Sequence, residues 1–134
     1  IIDRVDRPSN TGSIRIIDYK TGKVEKNNLQ PKELELIIQK TDFHKAFQVL
    51  FYKYLYQKSE KINEDLETGI ISLRNLKSGF MKFEIKNYSG DILSEFEVLL
   101  NSIFDDIYNP DKSFIQTEIT DNCKFCDYKN ICNR

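Results

Sequence analysis

Apolar positions cluster in two short runs near the start of the chain, residues 1–6 and 14–20, both rich in β-branched side chains. Between them Arg7-Pro8-Ser9-Asn10-Thr11-Gly12-Ser13 has the Pro, Asn and Gly content of a turn, so the pair predicts a β-hairpin. Residues 23–41 show no clear period; Asn27, Asn28 and Pro31 predict a loop, with a short helical turn at 32–38. From Asp42 the spacing becomes helical. Phe43, Phe47, Leu50, Phe51 and Tyr54 recur at helical spacing up to about Lys58, with Asp42 as the expected cap. Two more strand-like runs follow at 69–73 and 80–85, joined through Lys77-Ser78-Gly79. A second helix is expected from Asp91, with Ile92, Phe96, Leu99, Leu100, Ile103 and Phe104 on one face, stopping before Pro110. The order β-β-α-β-β-α predicts an α/β layer domain with a mixed β-sheet flanked by helices.

A chain of 134 residues suffices for a single domain, expected as a core over 1–109 and a cysteine-bearing tail over 110–134. Hydrophobic residues at 40% and charged residues at 31% support a globular core and exclude wholesale disorder. No apolar run approaches a membrane span, and no leader pattern opens the chain, so a cytoplasmic protein with no membrane partner is expected. The chain opens on Ile1, inside a strand pattern, and is expected to be an N-terminally truncated piece of a longer protein. With 20 basic against 21 acidic residues, net charge −1, contact with a nucleic acid would have to be confined to one site or supplied by other sequence.

The stretch Ile16-Ile17-Asp18-Tyr19-Lys20-Thr21-Gly22 holds the densest candidate chemistry. Strand side chains alternate, so Asp18 and Lys20 share a face, two rises of roughly 3.3 Å apart, while Tyr19 points away. A turn centred on Asn10-Thr11 pairs residues whose numbers sum to 21, which sets Asp3 opposite Asp18. Opposed carboxylates, with Cβ atoms about 5 Å apart, repel and call for compensation. A divalent cation provides it, since Mg²⁺ is commonly held by one or two carboxylates plus water and substrate oxygens. The competing reading of the same spacing is a surface hairpin with solvated charges.

Asp3 within Ile2-Asp3-Arg4-Val5-Asp6, followed by Ile17-Asp18-Tyr19-Lys20-Thr21-Gly22, resembles the core motif of the PD-(D/E)XK nuclease superfamily, and most closely its RecB/AddB-like branch. The resemblance implies a restriction-endonuclease-like core and an active site of Asp3, Asp18 and Lys20. It also implies that the Tyr19 backbone carbonyl joins the two carboxylates around Mg²⁺ or Mn²⁺. Asp6 has no catalytic counterpart and reads as a strand-end charge. Gln48 and Tyr52 match a Gln and a Tyr that the branch carries four residues apart on the following helix. At that spacing they share a helix face and can reach one site. The activity implied is hydrolysis of DNA phosphodiester bonds, as exonuclease or endonuclease, at DNA ends or on single strands. The setting implied is a repair or recombination helicase–nuclease with an attached or partner helicase.

Cys123, Cys126 and Cys132 form C-x2-C-x5-C near the end of the chain. An odd number of cysteines argues against a disulfide framework, and thiolates so spaced suit zinc or an iron–sulfur cluster. The same branch includes members with a 4Fe–4S staple, in which three C-terminal cysteines join a fourth placed before the nuclease core; that implies an upstream fourth ligand here. His44, the single histidine, reads as a first-turn helix residue and not a ligand. Three other functions stay open. One is a CRISPR-adaptation-type exonuclease, which the Asp at position 18 disfavours because that group often has Glu. The others are a non-catalytic DNA-binding or scaffolding relative and a zinc-bound interaction module.

Overall fold

A computed structural model describes residues 1–9, 12–62, 64, 66–113, 115–124 and 126–133. The hydrophobic run Ile14-Arg15-Ile16-Ile17 opens the central strand β2, Ile14–Lys20, which pairs antiparallel with the short β1, Arg4–Asp6. Their partners are Arg4 with Ile17, Val5 with Ile16 and Asp6 with Arg15, so each pair sums to 21, the expected register. The expected turn centre, Asn10-Thr11, lies outside the described residues. On its other edge β2 pairs parallel with β3, Leu66–Ser72, through seven matched residues. β3 then pairs antiparallel with β4, Phe80–Lys82, which completes a mixed sheet of order β1-β2-β3-β4.

Parallel strands need a crossover, and the long helix α2, His44–Glu60, provides it between β2 and β3. It buries Ala46, Val49 and Leu50, spaced for one helix face, against β2 and β3. The facing side of the sheet offers Ile14, Ile16, Leu66 and Ile70, all buried. Thr68 belongs to the same face. Its buried hydroxyl donates to the Val49 carbonyl at 2.9 Å and ties the helix to β3. Gly69 leaves room for β4: a Cβ there would press into the Met81 carbonyl.

Several boundaries differ from the sequence expectation, each for a tertiary reason. β3 begins at Leu66 instead of 69, because Leu66, Glu67 and Thr68 each find a partner on β2. β4 ends at Lys82, after which the Phe83 amide still donates to Thr68 but the Glu84 amide turns to the Leu29 carbonyl. Asp42 does not cap α2. It sits inside a 3₁₀ turn, Thr41–Phe43, and the N-cap position falls on Phe43 with no side-chain cap bond. The segment expected as a loop, 23–41, buries Val24, Leu29, Pro31, Leu34 and Ile37. Its 3₁₀ turn Lys26–Leu29 packs on α2 and β4, and its helical turn is the four-residue α1, Leu36–Gln39.

Residues Ile1–Gly90 form one compact unit and Asp91–Arg134 a second. In the second, α3 spans Ile92–Tyr108 with Phe96 and Leu100 buried. Asp91 caps it, accepting from the Leu93 and Ser94 amides at 3.1 and 3.3 Å, and the helix ends before Pro110 as expected. Among the described residues no helix is long and apolar enough to cross a membrane.

Candidate active site

The end of β2 carries charged side chains onto a face that is mostly apolar, with Thr68 and Ser72 as its other polar residues. Asp18 follows Ile14 and Ile16 on the α2 side of the sheet, and it is only 4% exposed. A carboxylate so enclosed is costly unless paired. Lys20, next on the same face, sets its ammonium 2.8 Å from Asp18 Oδ2. From across the gap Gln48 of α2 joins them. Its Oε1 accepts from Lys20 Nζ at 2.8 Å, and its Nε2 lies 3.4 Å from Asp18 Oδ1. The same Nε2 donates to the Tyr52 hydroxyl at 2.8 Å, one helical turn along. Asp18, Lys20, Gln48 and Tyr52 therefore form one connected polar network.

Thr68 was not foreseen in this connection. By holding the Val49 carbonyl it fixes the helical residue next to Gln48, and so the height at which Gln48 crosses β2. Nothing in the local sequence marks it, since a threonine is ordinary in a strand. Ser72, opposite Lys20 in the register, is likewise buried and donates to the Gly22 carbonyl at 2.8 Å; the Leu73 amide donates to the Lys20 carbonyl at 2.8 Å. Together they hold the chain as it leaves β2.

Asp3 reaches this region by another route. It precedes the first paired residue of β1, and its Oδ2 accepts from the Tyr19 backbone N–H at 2.9 Å. A strand residue presents its N–H and C=O to the same edge, so the Tyr19 carbonyl faces the edge where Asp3 lies. The Tyr19 ring is on the opposite face, its hydroxyl accepting from Arg4 at 3.2 Å. Asp6 also belongs to that opposite face. It stands at the end of β1, as expected of a strand-end charge, and is also paired, meeting Arg15 through two bonds of 2.8 and 3.0 Å and Arg4 at 2.8 Å. The Arg15 hydrogen bonds hold the Asp6 carboxyl below the ordinary aspartate range.

One atom of the network is incompletely served. Asp18 Oδ2 is buried and accepts no hydrogen bond of regular geometry, although the Lys20 ammonium sits against it. An ionised carboxylate offers about four lone-pair positions. Asp18 thus has open acceptor capacity toward a second cation. Two carboxylates and a carbonyl are hard oxygen donors, the set that Mg²⁺ and Mn²⁺ prefer, with water completing the shell. In donor type alone, the oxygens of Asp3, Asp18 and Tyr19 are those such an ion takes.

Cys123, Cys126 and Cys132 are free and half-buried, held in successive turns in which the Cys126 amide donates to the Cys123 carbonyl at 3.2 Å. Among the described residues no three His, Cys, Asp or Glu side chains converge to hold a metal. An iron–sulfur cluster takes four cysteine ligands, and three unconverged thiols fall short of it.

A mixed sheet of this order, with a carboxylate and lysine two residues apart on its central strand and a glutamine brought over by the crossover helix, defines a restriction-endonuclease-like α/β core. Residues 1–133 match the family model of the PD-(D/E)XK nuclease superfamily, and the chain belongs to that superfamily. Nuclease is accordingly its class of activity, with a nucleic-acid phosphodiester as the bond acted on. No curated protein and no solved structure matches the chain.

Proposed function

We propose that this chain is the catalytic core of a divalent-metal-dependent deoxyribonuclease, with Asp3, Asp18, Lys20, Gln48 and Tyr52 as its working residues. The observation that carries the proposal is the Asp18 carboxylate. It is buried, short of hydrogen bonds at Oδ2 and bracketed by Lys20 and Gln48. Lys20 and Gln48 offset the burial of that charge, and the lone-pair positions left on Oδ2 could serve a divalent cation.

Asp3, Asp18 and the Tyr19 carbonyl are the residues that would hold Mg²⁺ or Mn²⁺. Such an ion, when bound, polarises a phosphoryl oxygen and makes water a better nucleophile near neutral pH. Lys20 places a fixed positive charge beside the reacting phosphate, where negative charge grows as water attacks phosphorus and the P–O bond to the leaving nucleotide breaks. Gln48 keeps Lys20 aimed by accepting from its ammonium. Tyr52 in turn fixes the Gln48 amide, so its role is positioning.

The setting we propose is a cytoplasmic DNA repair or recombination enzyme of the helicase–nuclease type. Its support is the four-residue spacing of Gln48 and Tyr52 and the C-x2-C-x5-C tail in residues 110–134 that follows the core of 1–109. A 4Fe–4S cluster on Cys123, Cys126 and Cys132 would need a fourth cysteine from outside these residues, and no step above depends on it. The test is cleavage of labelled DNA with Mg²⁺ or Mn²⁺ by wild type, Asp18→Ala and Lys20→Ala. Each substitution is expected to lower the rate by on the order of 10²-fold or more, with the circular dichroism spectrum unchanged. Equal rates in wild type and Asp18→Ala would remove the proposal.

A further inference from the structure

Lys45 stands three residues before Gln48, which stands four before Tyr52. Positions so spaced form one stripe on a helix, with about 5–6 Å between neighbouring Cβ atoms. The stripe's direction is known, because Gln48 touches both Lys20 and Asp18. Helical side chains lean toward the N-terminus, so the Gln48 amide projects over the turn that bears Lys45. A cation therefore lies next to the polar network, one helical turn beyond it.

The charge of that cation is held but not neutralised. Lys45 Nζ lies 3.2 Å from His44 Nε2, and His44 Nδ1 lies 2.6 Å from the Thr41 carbonyl. His44 is a nitrogen partner and brings no negative charge to the ammonium. Arg4, Arg7, Arg15, Lys20, Lys23 and Lys82 each meet a carboxylate; Lys45, like Lys61 at the other end of α2, is in no such pair among the described residues, and of these two only Lys45 shares the Gln48 stripe.

We infer that Lys45 grips a backbone phosphate of the substrate strand next to the one attacked, so that the DNA runs along the Lys45–Gln48–Tyr52 stripe of α2. This rests on the nuclease reading above. The step from Gln48 to Lys45 is comparable to one nucleotide along a strand, and the lysine acts as a sequence-independent point charge. His44 is the positioning residue that keeps the ammonium extended at the helix start.

The test is binding of a fluorescein-labelled single-stranded oligodeoxynucleotide, in EDTA to prevent cleavage, over a series of NaCl concentrations. One lost phosphate contact lowers the slope of log K against log salt by about 0.7 for a single strand. Lys45→Ala is expected to show that decrease with binding about three- to tenfold weaker at low salt, and Lys45→Arg to keep the wild-type slope. Lys61→Gln, at the far end of α2, serves as the charge control and is expected to keep it too. Equal slopes for wild type and Lys45→Ala, an equal loss in Lys61→Gln, or wild-type binding without salt dependence would each overturn the inference. Because no cleavage is involved, these outcomes are separate from the Asp18→Ala assay that tests the nuclease reading.

Discussion

Tyr52 and Gln48 show how much of the proposed chemistry depends on a single hydrogen bond. The Tyr52 hydroxyl is the second acceptor of the Gln48 amide, and it keeps the other end of that amide turned to Lys20. Losing a bond of this kind costs about 1 kcal/mol net, which corresponds to a rate factor of roughly five to ten when the bond acts only in aligning Lys20. Tyr52→Phe is therefore expected to lower kcat by about that factor with KM unchanged. A kcat equal to wild type would show that Gln48 needs no support from Tyr52. On the opposite face Asp6 has a structural role that pH can expose. Its folded pKa lies below the unfolded value, so its stabilisation is complete above the ordinary aspartate pKa of about 3.9 and is lost as pH falls through the lowered value. Urea melts from pH 6 to pH 2.5 should show wild type losing more stability than Asp6→Asn over the acid end; parallel curves would deny Asp6 that role.

At the scale of elements, the legible features were those set by local spacing. The hairpin register could be read from a seven-residue turn, because antiparallel pairing follows once the turn centre is chosen, and Arg4 does pair with Ile17. Gln48 and Tyr52 fall on one helix face by spacing alone, and Asp18 and Lys20 on one strand face. Contacts between distant segments left no such trace. Asp42 looks like a cap, but residues 41–43 tighten into a 3₁₀ turn before the helix begins. Val24, Leu29, Leu34 and Ile37 lack a period because they plug a gap beside α2 and β4 instead of lining one face of an element. Asp3 was read from hairpin arithmetic as facing Asp18, and the backbone bond it makes to Tyr19 was invisible to that arithmetic. Gly69 carries an element-scale prediction. With the Met81 carbonyl in the place of its absent Cβ, Gly69→Ala must push β4 away from β3, at a cost of about 1–3 kcal/mol typical of overpacking. An unchanged urea midpoint would contradict that packing.

For the molecule as a whole, charge and chemistry are separated by the sheet. One face holds the Arg4–Asp6–Arg15 cluster and the Lys82–Glu67 pair, opposite charges that satisfy one another. The α2 face holds the Asp18–Lys20 pair, in which Asp18 Oδ2 accepts no hydrogen bond of regular geometry. If the second is a cation site and the first a structural one, aspartates on the two faces should differ in a single property. Mn²⁺ binding measures it most directly, by titration with electron paramagnetic resonance of the free ion, on wild type, Asp3→Asn, Asp18→Ala and Asp6→Asn. Wild type and Asp6→Asn should bind Mn²⁺ alike, while Asp3→Asn and Asp18→Ala, still folded by circular dichroism, should bind it on the order of 10–100-fold more weakly. The same affinity in all four proteins would contradict the central claim.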